Sequence, residues 1–231
     1  MKISLKFKTI IAALFITLGL ASCSKIDGDQ TPIQISGLSL IHASPTIEKL
    51  DVYVDNTRAN VEDFAFGAKI DYLNAYSGDR NLTVTKKGLT TKLTSKLLKL
   101  ESGLGYSVFV VDKFETVDLL MLQDNLAKPA AGKAKIRFVN LSPDAGALNL
   151  EVVGKTPDLI DNKAFKEYSE FVAIDPAEKV SFNIKNKTSG AVETTLVDIK
   201  IEDGKIYTLY AKGLKATADA TKFGAAIFTH K

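Results

Sequence analysis

The feature that most constrains the fold is an internal repeat with a period close to one hundred residues. Leu40-Ile41-His42-Ala43-Ser44-Pro45 returns as Phe138-Val139-Asn140-Leu141-Ser142-Pro143, 98 positions later. The same offset carries Leu50, Val52 and Val54 onto Leu148, Leu150 and Val152, and Leu82 and Val84 onto Val180 and Phe182. Phe66 and Tyr72 meet Phe165 and Phe171 at an offset of 99. Leu98, Leu100, Gly103, Tyr106, Val108 and Val110 meet Ile199, Ile201, Gly204, Tyr207, Leu209 and Ala211 at 101. The drift is small loop variation between two copies of one supersecondary plan.

The apolar residues of each triplet alternate with polar or surface-tolerant ones, the period of a half-buried strand. Neither copy contains a long stretch of helical period, and Gly, Asn and Asp turns come at close spacing. Both features point to an all-β chain of two tandem β-sandwich domains, each of about 100 residues. With 45% hydrophobic and 25% charged residues in 231, there is apolar material for such cores. The copies run over residues 35–126 and 134–231. Between them, Ala127-Lys128-Pro129-Ala130-Ala131-Gly132-Lys133 discourages both helix and ladder and reads as a linker short enough to keep the copies neighbours. Residues 118–126 read as a helical turn or an edge strand. The Gly-x-x-Tyr element at Gly103/Tyr106 and Gly204/Tyr207 suits a tyrosine corner, with the ring between sheets and the hydroxyl on an upstream backbone group. The alternative is simply the preference of Tyr for strands.

Ahead of the repeat, Lys2, Lys6 and Lys8 precede an apolar run from Thr9 to Gly19, and then Leu20-Ala21-Ser22-Cys23. The run is about 11 residues, short of the roughly 20 that span a bilayer. Residues 1–22 therefore read as a secretory signal peptide. The tetrad resembles a bacterial lipobox, which implies diacylglycerol on the Cys23 sulfur, cleavage after Ser22 and a further acyl chain on the freed amine. Several chains hold a protein on a membrane far more firmly than one. A plain signal peptide would leave Cys23 as a stray thiol; the four ordered positions, and the fact that this is the chain's one cysteine, favour the lipid. Residues 23–34 are a lipidated tether. Ser24 resembles the pattern sent on to an outer membrane, while Lys25-Ile26-Asp27-Gly28-Asp29-Gln30 suits either an export tag or a polar tether, so the membrane face stays open.

The formal charge of +3 belongs wholly to the signal peptide, since the remaining chain has 27 basic and 27 acidic residues. Nucleic acid therefore loses its electrostatic argument as a partner. One cysteine and two histidines leave no disulfide within the chain, no Cys-based zinc site and little material for His-dependent catalysis. No catalytic, cofactor or metal residue is assigned. His42 and Ser44 near Asp51 do not make a triad, because nearness in sequence is not a set of spatial roles and the second copy lacks the His. His42 is expected at a strand end with its ring hydrogen-bonded across a loop, and His230 exposed near the C-terminus. Asp51, Tyr53 and Asp55 share a strand face, expected to be solvated rather than to hold a cation. Tyr76, beside the Ser77-Gly78-Asp79 turn, and Tyr168 are the candidate exposed aromatics for ligand contact.

His42-Ala43-Ser44-Pro45, Asp51-Val52-Tyr53-Val54-Asp55, Phe66-Gly67 and Tyr72 resemble the bacterial family catalogued as domain of unknown function 4397, over most of residues 35–126. The second copy departs from it, with Asn140-Leu141 for the His-Ala pair and Asn149-Leu150-Glu151-Val152 for the acidic strand. The resemblance implies immunoglobulin-like or transthyretin-like sandwiches, often in tandem, on secreted or lipid-anchored proteins, and no known reaction. The expectation is a lipid-anchored outer-membrane protein that binds or adheres rather than catalyses, with a protein or glycan partner. An accessory subunit of a surface nutrient- or glycan-capture complex, and a structural spacer, are the alternatives.

Overall fold

The computed structural model describes residues 33–230. The segment expected to be a signal peptide, Cys23 and the expected tether up to residue 32 lie outside the described residues. The first repeat forms β1 (Ile35–His42), β2 (Leu50–Val54), β3 (Thr57–Arg58), β4 (Lys69–Tyr76), β5 (Gly78–Lys86), β6 (Lys92–Leu100), β7 (Gly105–Val111) and β8 (Asp118–Asp124), with one 3-10 turn at Phe114–Thr116. The undecided segment after Val117 is thus a strand. The second repeat forms β9 (Ala134–Asn140), β10 (Leu148–Val152), β11 (Ile160–Lys163), β12 (Val172–Ile174), β13 (Ala177–Asn186), β14 (Val192–Ile201), β15 (Ile206–Lys212) and β16 (Gly224–His230).

Strand order is the same in both halves. One sheet runs β4-β1-β7-β8 and its partner β3-β2-β5-β6; the second half repeats them as β12-β9-β15-β16 and β11-β10-β13-β14. Within each half β1 and β7, or β9 and β15, pair in parallel, and every other named pair is antiparallel. The first strand between the fourth and the seventh departs from the immunoglobulin order, which leaves the transthyretin-like form. The expected alternation sets the cores: Leu50, Val52, Leu82, Val84 and Val108 bury inward in the first sandwich, and Leu148, Leu150, Phe182, Ile184 and Leu209 in the second.

The paired tyrosines form corners. Tyr106 and Tyr207 are buried, and their hydroxyls accept the backbone N–H of Glu101 (3.0 Å) and Glu202 (2.9 Å). The turns between donor and ring need the left-handed conformation, with φ +78° at Gly103 and +73° at Gly204.

The other face of the β1/β7 sheet is also covered. Ile41, Ala43, Phe109, Val111 and Leu122 bury against Val139, Leu141, Tyr210, Ala226 and Phe228, so residues from Ile33 onward make one compact unit. One pair of counterparts meets across it: Phe109 and Tyr210, equivalent by the 101 offset, have ring centroids 5.9 Å apart.

Candidate functional site

At one end of this contact the apolar packing gives way to a buried polar ring. Asp124, the last residue of β8, is an acceptor only, and it takes the Tyr72 hydroxyl (2.5 Å) and the Ser107 hydroxyl (2.8 Å) on Oδ2, and an Nη2–H of Arg137 (2.5 Å) on Oδ1. With the Tyr72 proton committed, its oxygen accepts Nδ1–H of His230 (2.7 Å). The other nitrogen, Nε2, then accepts the Thr208 hydroxyl (2.7 Å), whose oxygen accepts Nε–H of Arg137 (2.8 Å). The bonds close a ring that starts and ends on charges: Arg137 donates directly to Asp124 and also to Thr208, from which the donors run through His230 and Tyr72 to the same carboxylate.

Each member comes from a different strand, and the two halves supply opposite charges. Gly105 pairs with Asp124 as Ile206 pairs with His230, so these two side chains occupy equivalent positions in the repeat; Nδ1 and Oδ2 lie 3.8 Å apart. Arg137 and Asp124 have side chains 2% and 0% exposed. Burial lowers the affinity of the guanidinium for its proton, and the Asp124 carboxylate opposes that fall in part. The cation also stands 4.7 Å from the face of Phe171. Burial holds the His230 imidazole down at about 4, against the pull of Asp124, and the cations Arg137 and Lys69 add to the shift. Burial and Asp124 together raise the Tyr72 phenol far above its ordinary value. The ring is therefore neutral at His230 and locked in one tautomer at neutral pH. Tyr72 reaches it because Gly37 and Gly105, side by side on β1 and β7, lack a Cβ: one on Gly37 would stand 3.1 Å from the tyrosine ring.

Over the ring opens a cleft of about 630 Å³ between the two halves, lined by Gly103–Gly105, Gln123–Ala127, Arg137 and Tyr168–Phe171. Tyr168 is pinned on its rim by a backbone bridge to Val139, and the neighbouring Ser169 exchanges bonds with Phe138. Its ring is 45% exposed. Gln123, Asn125 and Glu170 line the same cleft, so an exposed aromatic shares it with polar and charged residues, while the Ser169 hydroxyl is committed to the Phe138 N–H. Tyr76 is not brought to this cleft. It is 66% exposed and borders a separate groove of about 530 Å³ with Arg58, Arg80 and Leu73.

Three expectations are corrected. His230 is buried, not exposed, because β16 runs to the chain end and inserts its ring between the halves. His42 is at a strand end, but neither ring nitrogen nor the Ser44 hydroxyl has a hydrogen bond of acceptable geometry. The ring sits against Phe64 and Phe66, and burial drops its pKa to about 4, opposed by the Glu48 carbonyl. Asp51 is 2% exposed rather than solvated. It accepts the Gly88 N–H (2.9 Å) and the Asn60 amide (3.3 Å) and lies 3.4 Å from Arg58, tying two loops to β2; Asp55 is exposed in the turn that follows β2 rather than on the strand. Arg137, Asp124 and Thr208 were not singled out by sequence reasoning. Their signal was a charge, Arg137, inside the apolar run Ile136-Arg137-Phe138-Val139.

Two halves of one transthyretin-like plan, joined through a polar ring with a cleft above it, define a two-lobed β-sandwich protein. Domain of unknown function 4397 matches residues 36–151, and the chain belongs to that family. The match runs past the first repeat to β10 of the second. No curated protein matches the chain. Among solved structures, the C-terminal domain of AlgF from P. aeruginosa aligns at 19% identity over 43% of this chain and 99% of that one, with a TM-score of 0.32. A family 26 carbohydrate-binding module of Eubacterium rectale Amy13K, in complex with maltoheptaose, aligns at 13% identity over 83% and 96%, with a TM-score of 0.28. A family 41 carbohydrate-binding module from streptococcal virulence factors aligns at 14% identity over 76% and 92%, with a TM-score of 0.25.

Proposed function

We propose that this is a non-catalytic binding protein of the bacterial envelope, held on the outer membrane by acyl chains on Cys23, that takes a saccharide in the cleft between its halves. In this reading residues 35–126 and 134–231 are two copies of one domain joined by residues 127–133. The cleft carries the reading: an exposed Tyr168 lines it together with the polar residues Gln123, Asn125 and Glu170, the residue types that stack on a sugar ring and bond its hydroxyls. A binding role is further supported by the histidines, both buried and held neutral at physiological pH, where neither serves as a solvent-facing base.

The test is titration of the protein with a panel of soluble α-glucan, β-glucan and N-acetylhexosamine oligosaccharides, followed by calorimetry and by backbone chemical shifts. A responding glycan should move Asn125, Tyr168 and Glu170, and Tyr168→Ala should weaken binding about tenfold, the loss of one stacking face at roughly 1.4 kcal/mol. Silence across the panel would turn the reading towards a spacer, and a stoichiometric protein partner from solubilised membranes towards an accessory subunit. For the anchor, Cys23→Ala should leave unprocessed or soluble precursor; a variant still cleaved normally and partitioning into detergent contradicts it.

A further inference from the structure

We infer that the end of the first sandwich carrying Ile33, Ile35 and Tyr76 rests on the bilayer that holds Cys23; the inference rests on the lipid-anchor reading. Ile35 opens β1 and is the cross-strand partner of Tyr76, the last residue of β4. Directly paired residues project from the same face, and Ile33, two positions earlier, extends the row. The three side chains are 70%, 39% and 66% exposed, in the order Ile33, Ile35, Tyr76. β4, which carries Tyr76, is the edge strand of its sheet.

What lies within reach of this patch is set by the tether. Ten residues separate Cys23 from Ile33, a span of at most about 35 Å extended and of roughly 17 Å as a flexible coil. The row is thus the part of the first sandwich that enters the chain nearest the acyl chains. Three apolar groups would bind a free membrane weakly, but a short tether makes the contact intramolecular, at a millimolar-scale effective concentration. Aliphatic side chains with a tyrosine suit the headgroup boundary, where the ring is buried and the hydroxyl stays wet. Ile47 supplies the contrast. It is 77% exposed, yet it follows the far end of β1, about 25 Å along the strand from Ile35.

The inference is tested on the full lipidated chain in vesicles of phosphatidylethanolamine and phosphatidylglycerol. Cys23 is the chain's one cysteine and acylation blocks its sulfur, so Asp79→Cys, exposed beside Tyr76, and Ile47→Cys each take a single nitroxide. The label at 79 is expected to be at least threefold less accessible to a water-soluble relaxant than the label at 47, and Ile33→Glu with Tyr76→Glu should restore it. Equal accessibility of the two labels on protein that floats with the vesicles overturns the inference while leaving the anchor intact. Protein that does not float, and that takes label on Cys23, overturns the anchor and the inference with it.

Discussion

Removing one charge from the buried ring tests the claim that the two halves are one cooperative body. Asp124→Asn keeps the size of the side chain but leaves the Arg137 guanidinium, 2% exposed, without its counter-charge. Breaking a buried pair on one side costs about 3–5 kcal/mol, a large part of the roughly 5–15 kcal/mol of an ordinary domain. With an m-value near 2 kcal/mol per molar urea, the midpoint for residues 33–231 should fall by about 1.5–2.5 M. Arg137→Met alone should cost a comparable amount, because Asp124 is then the orphan. Asp124→Leu combined with Arg137→Met should recover much of the loss, since apolar groups replace both charges; the orphaned Ser107 and Tyr72 hydroxyls hold the recovery short of complete, at about 1–3 kcal/mol each. The quantity that decides is the coupling in the double-mutant cycle, measured by urea denaturation. Coupling below about 0.5 kcal/mol would refute the reasoning and leave the apolar contact alone to join the halves.

Stability should also depend on acid. His42 and His230 have pKa values near 4 in the folded chain against about 6.5 unfolded, so the unfolded state binds more protons as pH falls through that window, and stability drops by about 3 kcal/mol for each histidine by pH 4. Above pH 6.5 the contribution is fully present. His42→Phe, in a pocket already lined by Phe64 and Phe66, should change stability at pH 7 by less than about 1.5 kcal/mol and remove roughly half of the acid slope in urea melts at stepped pH. Tyr106→Phe and Tyr207→Phe should each lower stability by about 1 kcal/mol in thermal or urea unfolding, by leaving the Glu101 or Glu202 N–H without its acceptor. A protease site placed at Gly132 should, after cleavage, yield two fragments that still migrate as one particle by light scattering, since the apolar and polar contacts between halves do not run through the connection.

The duplication, the strand character and the corners were legible because they rest on local rules: period-two alternation, glycine turns, and a tyrosine at fixed distance after each turn. The contact between halves was legible only in a signal of the opposite kind. β7 reads Gly-Tyr-Ser-Val-Phe-Val-Val and is buried at every position, a continuous run that marks a strand covered on both faces. A half-buried strand has no use for Phe109 between Val108 and Val110. The polar ring was beyond reach for a different reason. Its members span residues 72 to 230, and only the face-to-face contact brings a lone Arg, a strand-end Asp and a C-terminal His within bonding distance. Tyr76 was legible as an exposed aromatic because it stands next to turn chemistry, whereas the placing of Tyr168 in a cleft depends on that same contact.

The equivalent placement of Asp124 and His230 has a consequence for how the molecule recognises itself. A first half meeting another first half would set carboxylate against carboxylate, and a second half meeting another second half would crowd two guanidinia around two neutral imidazoles. The difference between the copies at the Asp124/His230 and Ser39/Arg137 positions makes the contact a lock and key within a single polypeptide. Pairing of like halves between neighbouring molecules is thereby disfavoured, while the first-to-second contact stays complementary.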